Sequence, residues 1–258
     1  MEKAVLITGA SSGFGKEFAK LYAKDKNNLV LVARSEDTLN QIKAELEDSY
    51  GITVYVYAKD LSLPQAAKEV FAFTEQKDIC VTTLINNAGY GDWCEFTEAD
   101  PAKLDAMIQL NITALFQLCR LYAPIMKQNK SGSILNVSSL AAFSAGPLMA
   151  TYYATKAFVL SLSESLAEEL KPYGVTVSAL CPGPANTGFV QKAELSSSSF
   201  AKAFSHMSAK KVAEYAYKKH KAKKTIILPG LLPKLMVLGA RLAPRSLCRK
   251  VVMSIQKK

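Results

Sequence analysis

Three side chains within residues 138–156 have the types and spacing of an acid–base centre. Tyr152 and Lys156 stand four residues apart, and Ser139 lies thirteen residues before Tyr152. Residues 151–170 contain neither Gly nor Pro and carry apolar residues at Ala154, Ala157, Phe158, Leu162, Leu166 and Ala167, a spacing that predicts a helix. Positions i and i+4 share one helix face, so the Tyr152 phenol and the Lys156 ammonium can act on one spot. A free phenol titrates near pH ~10, and a cation held beside it favours phenolate and lowers that value. Ser139, coming off the end of a predicted strand, is placed to donate a hydrogen bond to the oxygen the phenol serves. The chemistry on offer is proton transfer to or from a carbonyl or an alcohol. Taken alone, a Tyr and a Lys at this spacing also fit a helix edge with a packed ring and a snorkelling amine.

The elements that must position these groups follow from the apolar pattern. Runs at Ala4 to Ile7, Leu29 to Val32, Ile52 to Ala58, Val81 to Ile85, Ser133 to Val137, Val175 to Leu180 and Thr225 to Leu228 predict seven strands. Helical patterns separate them, beginning at Gly13, Ser35 and Leu63 in the first three cases. Strands alternating with helices predict right-handed βαβ units, a parallel sheet and one doubly wound α/β domain. No linker, repeat or low-complexity segment interrupts the series; the serines at 196–199 are too few for a linker and read as a loop near the site.

The first strand–helix turn reads Thr8-Gly9-Ala10-Ser11-Ser12-Gly13-Phe14-Gly15. Glycines there let the backbone approach a pyrophosphate, and the helix start offers unpaired N–H groups and a positive dipole end. The second strand ends Val32-Ala33-Arg34-Ser35, with no carboxylate to take a ribose 2′-hydroxyl. Arg34 instead suits a 2′-phosphate, which favours NADP(H) over NAD, although Glu36 and Asp37 follow closely. Asp60-Leu61, after the third strand, is placed for an adenine amino group, and Asn86-Asn87-Ala88-Gly89, after the fourth, for close passage of a ribose. Asn111 falls inside the helical pattern Leu104, Ile108, Ile112, Leu115, Phe116 and Cys119. An amide there is costly unless bonded, so it reads either as a helix-interior hydrogen bond or as a member of the active centre.

Together these residues resemble the short-chain dehydrogenase/reductase family. The match comprises Thr8-Gly9, Gly13 and Gly15, Asn86 to Gly89, Asn111, Ser139, Tyr152 with Lys156, and Pro182-Gly183 with Thr187, in the family's order over roughly residues 1–190. The resemblance implies a Rossmann-like sheet with the nicotinamide lying over Tyr152. It implies that Tyr152 is the general acid/base and that Ser139 holds the substrate oxygen. Lys156 would bind the nicotinamide ribose and depress the phenol's pKa, and Asn111 would anchor a water relaying protons to Lys156. Pro182, Gly183 and Thr187 would approach the nicotinamide amide. Both offsets select Tyr152 over Tyr153, which reads as packing. The implied reaction is NADP(H)-dependent interconversion of a carbonyl and a secondary alcohol, and the implied assembly is a homodimer or homotetramer packed through the helices around Asn111 and Lys156. A catalytically silent dinucleotide sensor on the same fold is the alternative, against which the intact Asn111, Ser139, Tyr152 and Lys156 argue.

Composition sets the remaining bounds. A chain of 258 residues with 49% hydrophobic content can bury a large core. Its five cysteines form no C-x-x-C pair and no metal-ligand spacing with His206 and His220. This predicts reduced thiols in a cytoplasmic setting and no metal site. A strand beginning at Lys3 predicts no signal peptide, and no apolar run reaches the ~18 residues needed to span a bilayer. Substrate-pocket candidates are Tyr90-Gly91-Asp92-Trp93, Leu140 to Leu148 and Phe189 to His206, with Trp93, Phe143, Phe189, Phe200 and Phe204 bulky and Lys192 and Lys202 in reach. Such mostly apolar walls predict a hydrophobic ketone, and the C-terminal tail resembles those of family members acting on long-chain acyl or steroid-like ketones, which implies a 3-oxoacyl or steroid-like one.

Charge is unevenly placed. Residues 201–258 carry fifteen Lys/Arg against Glu214 alone, a net of +14, whereas the first 200 carry −4. A catalytic domain over 1–230 is thus followed by a basic, amphipathic extension over 231–258. The extension has a helix from Leu231 to Ala243 and, after Pro244, a second stripe at Leu247, Val251, Val252 and Ile255. It could lie on an anionic membrane, cover the pocket or pack on another subunit. No base-reading motif accompanies the charge, so nucleic acid is not expected as a partner.

Overall fold

Alternate side chains of a strand point to opposite faces, and here both sets are apolar. In β1 (Glu2–Thr8), Ala4 and Leu6 face one core while Val5 and Ile7 face another, all essentially without exposure. β2 (Asn28–Ala33) divides Val30 and Val32 from Leu29 and Leu31 in the same way. A sheet buried on both faces needs helices on both, which parallel crossovers supply. The computed structural model, which describes residues 1–184 and 208–256, meets that requirement.

In chain order, α1 (Gly13–Lys24) and α2 (Glu36–Tyr50) flank β2, and α3 (Ala66–Gln76) follows β3 (Val54–Ala58). After β4 (Ile79–Asn86) come α4 (Pro101–Ile108), a π-helical segment at Gln109–Ala114, and α5 (Leu115–Gln128). β5 (Gly132–Val137), a 3₁₀ turn at Leu140–Phe143, α6 (Ala150–Leu170) and β6 (Val175–Leu180) complete the body before α7 (Ala209–Lys221) and β7 (Ile226–Ile227). The strands form a seven-stranded parallel sheet in the order β3-β2-β1-β4-β5-β6-β7. Phe18, Tyr22, Leu39, Leu46 and Val212 bring α1, α2 and α7 onto one face. Val70, Leu118, Tyr122 and Val159 bring α3, α5 and α6 onto the other. Each fully buried large side chain contributes roughly 1.5–3 kcal/mol. Strand order reverses between β1 and β4, so a crevice opens beyond their carboxyl ends, the usual ligand position in such sheets.

Several element boundaries differ from the sequence reading. The helix expected from Leu63 begins at Ala66, because the Asp60 carboxylate accepts from the Ser62 amide and hydroxyl and winds residues 60–65 into turns. The third strand begins at Val54, not Ile52: Gly51 ends α2 at φ +59°, and the Thr53 amide donates to the Asn28 side chain, 2.8 Å. The last strand narrows from the expected 225–228 to Ile226–Ile227, although the Thr225 carbonyl still accepts from the Ala179 amide.

In the extension, α8 (Leu231–Leu242) stops one residue before the expected Ala243, and α9 (Arg245–Gln256) follows Pro244. The α8 side chain Val237 packs on Leu140, and Val252 of α9 joins a cluster with Met107 and Tyr153. Both helices therefore touch the body beside Ser139 and Tyr152.

Candidate active site

The crevice is built from the sheet outward. Thr8, at the end of β1, accepts through its hydroxyl from the Asn87 and Ala88 amides, each at 3.0 Å. The Asn87 side chain donates back to the Thr8 and Gly9 carbonyls. This cross-tie fixes the end of β4 against the first turn. Gly9 (φ +64°) has a backbone that L side chains rarely adopt, and a Cβ there would lie 2.8 Å from the Asn87 amide nitrogen. No side chain caps the first turn of α1, which leaves its amide N–H groups for an anion.

A cleft of about 550 Å³ runs from this turn across the sheet end to α6. Its walls bring together Gly9, Ser11, Ser12, Gly13, Phe14, Arg34, Asp60, Leu61, Asn87, Ala88, Gly89, Ser139, Tyr152, Lys156, Pro182 and Gly183. Gly15 does not line it. Its Cβ would meet the Gly9 carbonyl oxygen at 2.2 Å, so this glycine serves the close packing beneath the turn rather than a ligand. Thr187, Phe189, Lys192, Phe200, Lys202 and Phe204 lie outside the described residues.

Arg34 is largely exposed on the cleft rim, with its guanidinium 3.8 Å from the Asp60 carboxylate. Burial raises the Asp60 pKa, but the Ser62 hydroxyl and amide, and then Arg34, outweigh it and hold the carboxyl below its ordinary value. Asp60 is thus an ionised acceptor at neutral pH. An open helix start, a glycine turn pressed against Asn87 and Ala88, and an exposed guanidinium at the far rim fit a dinucleotide.

At the other end, Ser139 caps the 3₁₀ turn by accepting from the Ala141 amide, 3.1 Å, and shares the cleft wall with Tyr152, whose phenol it favours in the ionised form. The Leu140 amide donates to the Pro182 carbonyl, 2.9 Å, tying this wall to the end of β6. Lys156 is buried, and its ammonium donates to the Val137 carbonyl, 2.9 Å, at 5.8 Å from the Tyr152 ring centroid. Burial pulls the Lys156 pKa down to about 8. Burial also pushes the Tyr152 phenol up to about 12, with Ser139 alone pulling the other way. The direction is opposite to the sequence reading of a phenol made acidic by its lysine neighbour, because burial raises the phenol while the Lys156 ammonium turns to the Val137 carbonyl.

Asn111 is buried within the π-helical segment, whose wider turn admits the amide. Its oxygen accepts from the Tyr90 amide, and its nitrogen donates to the Tyr90 carbonyl and Thr155 hydroxyl. These bonds tie the amide to the loop after β4 and to α6 rather than to its own helix. A Cβ on Gly89 would lie 2.9 Å from the Asn111 oxygen and 3.3 Å from the Lys156 nitrogen, so the three residues converge.

Several contributors were not legible in sequence. Ser138 donates to the Lys156 carbonyl, 2.8 Å, and so holds α6 at the catalytic turn. Asn86, Asn136 and Ser163 form a buried hydrogen-bonded chain across β4, β5 and α6. Trp93 packs with Met107, Met149 and both tyrosines instead of standing free in a pocket. Tyr153 is buried as expected, yet its hydroxyl accepts from Gln256 near the far end of the chain.

Comparison with known proteins gives a consistent picture. A family model described as short chain dehydrogenase matches residues 3–197. The very-long-chain 3-oxoacyl-CoA reductase of Pyrenophora tritici-repentis is 36% identical over 179 residues, 68% of this chain and 52% of that protein. The 7beta-hydroxysteroid dehydrogenase of Collinsella aerofaciens is 33% identical over 178 residues, 69% of this chain and 67% of that protein. The chain spans about half the length of the 3-oxoacyl-CoA reductases it matches. A short-chain dehydrogenase from Sphingobium yanoikuyae, solved in complex with NADPH, superposes with a TM-score of 0.83 at 32% identity, covering 98% of this chain and 96% of that one.

Proposed function

We propose that this chain, which belongs to the short chain dehydrogenase family, is an NADP(H)-dependent oxidoreductase that interconverts a hydrophobic ketone and its secondary alcohol. The observation that carries this reading is that Ser139, Tyr152 and Lys156 meet on the wall of one cleft, with the Lys156 ammonium one helical turn beyond the Tyr152 ring. When bound, NADPH supplies hydride to the carbonyl carbon. Ser139, whose oxygen is fixed by the Ala141 amide, donates its proton towards the substrate oxygen. Tyr152, protonated at neutral pH, gives its proton to that oxygen as charge develops there. Each such donor is worth about 3–4 kcal/mol of barrier. Lys156 holds the nicotinamide ribose, Asn111 fixes the Tyr90 backbone beside Gly89, and Asp60 meets the adenine amino group. Pro182 and Gly183 line the nicotinamide end.

NADP preference rests on Arg34. The assay is NADPH or NADH oxidation over 3-oxoacyl thioesters, steroid ketones, quinones and small diketones. Wild type is expected to favour NADPH, and Arg34→Ala to weaken NADPH about tenfold while barely moving NADH. An unchanged ratio would remove Arg34 as the reader. The resemblance of this chain to 3-oxoacyl-CoA and hydroxysteroid enzymes supports a hydrophobic ketone.

Two further partners belong to this proposal. Exposed Phe116 and Phe158 on α5 and α6 support pairing of two copies through those helices. On α8, Leu231, Leu235, Leu238 and Leu242 lie on one face and are 72%, 57%, 54% and 79% exposed. Lys234, Arg241, Arg245 and Arg249 accompany them. No described helix is long and apolar enough to cross a membrane, and this stripe suits peripheral contact with anionic lipid. Wild type is expected to float with phosphatidylglycerol vesicles and a Leu235→Asp, Leu242→Asp protein to stay behind. Equal flotation would end the membrane contact.

A further inference from the structure

A second cavity of about 360 Å³ lies between the extension and the body, walled by Phe143, Met236, Val237, Val251 and Ile255 among others. Leu140, Ala141, Tyr153 and Gln256 line both this chamber and the catalytic cleft, so the two spaces meet at these residues. The chamber is apolar almost throughout. Its polar feature at the junction is Gln256, which is only 4% exposed. The Gln256 nitrogen donates to the Tyr153 hydroxyl, 2.8 Å, and the Tyr153 ring stands edge-on to Tyr152 with centroids 6.2 Å apart. The Gln256 oxygen is buried and has no hydrogen-bond partner among the described residues.

A buried carbonyl oxygen without a donor is unfavourable, and native interiors rarely keep one. Turning the amide over does not remove the vacancy: the Tyr153 hydroxyl would then donate to the oxygen, and the amide protons would lack an acceptor. A hydroxyl group both donates and accepts, so it answers either orientation. A glutamine held at the meeting point of a catalytic cleft and an apolar chamber has the chemistry to bind such a group once the side chain turns its oxygen to it.

We propose that Gln256 is a specificity residue that binds a second hydroxyl on the substrate. The ligand class is a hydrophobic ketone bearing one further hydroxyl. Its apolar body fills the chamber between α8, α9 and the 140–143 turn, and its carbonyl reaches Ser139 and Tyr152. This rests on the ketone-reductase reading of the cleft. It gives the extension a direct part in substrate choice, because the residue that makes the discriminating contact sits at the end of α9.

The test uses a steroid ketone carrying a ring hydroxyl and the same steroid without it. Binding to the full-length protein saturated with NADP⁺ is measured by calorimetry, and kcat/KM is measured with NADPH. Wild type is expected to prefer the hydroxylated ketone tenfold or more in both measurements, since a site built to bond a hydroxyl rejects the analogue lacking it. Gln256→Met removes the preference, and Gln256→Glu, which still accepts from a hydroxyl, keeps it. Equal binding of the two steroids by wild type overturns the proposal, and that measurement needs no variant to fold. So does a Gln256→Met protein that weakens both steroids by one factor, the behaviour of a side chain that merely pins α9 over a trapped water. A calorimetric preference without turnover of any ketone would support the Gln256 site and remove the reductase reading, so the two failures are distinguishable.

Discussion

Tyr152→Phe is expected to lower kcat for ketone reduction by about three orders of magnitude while leaving NADPH affinity within about twofold. The substitution removes one oxygen and keeps the ring, which packs with Met107, Met149 and Trp93. The fold and cleft are therefore retained. Lost with the hydroxyl are the proton and one of the two donors facing the substrate oxygen, with Ser139 left to stabilise developing charge unaided. The effect belongs in kcat and kcat/KM together, because the contact matters most where charge has developed. Steady-state kinetics with fluorescence titration of NADPH checks both halves. A variant with wild-type turnover would remove Tyr152 as the acid.

Lys156→Met is expected to do two opposite things. Turnover falls about a hundredfold or more and NADPH binds more weakly, since the residue is proposed to serve both ribose and phenol. Stability without cofactor rises at neutral pH. Burial depresses the Lys156 pKa from 10.5 to about 8, with Cys181 acting weakly in the other direction. Below pH 8 both folded and unfolded chains carry the charge, and the folded state bears its full desolvation penalty. Between pH 8 and 10 the folded chain releases the proton while the unfolded chain keeps it, so wild-type stability gains with rising pH. The stability gap between Lys156→Met and wild type should accordingly shrink by roughly 2–3 kcal/mol over that window. Denaturant titrations of both proteins at pH 7, 8, 9 and 10 read it directly. A gap that is flat with pH would mean that Lys156 is not desolvated as the structure has it.

What could be read from the residues alone follows from how local each signal is. The sheet was legible because strands such as Ala4 to Ile7 and Leu29 to Val32 are apolar on both faces, a pattern that only two covering layers explain. The catalytic spacing was legible because i and i+4 on a helix are neighbours whatever surrounds them. Titration was not. The acidity of Tyr152 depends on how much water α6 excludes and on where the Lys156 ammonium turns, and that ammonium goes to the Val137 carbonyl. Nor could apolar periodicity separate an α-helix from the π-helical turn at Asn111, which differs by one residue in a single winding. Gly15 carried the same glycine signal as Gly9, although only Gly9 lines the cleft. The Gln256–Tyr153 bond spans 103 residues, and no spacing rule links an amide in the last helix to a tyrosine at the catalytic turn.

The central claim is that this cleft moves a hydride to a carbonyl carbon while Tyr152 supplies the proton. The measurement that meets it most directly is mass spectrometry of the alcohol formed from NADPH deuterated at the transferable position of the nicotinamide, in ordinary water, across the ketone panel. One deuterium is expected on the carbinol carbon and a solvent-derived proton on its oxygen, with the product lost in Tyr152→Phe. An alcohol whose carbinol carbon carries only solvent hydrogen, or a protein that binds NADPH and labels no product at all, would contradict it.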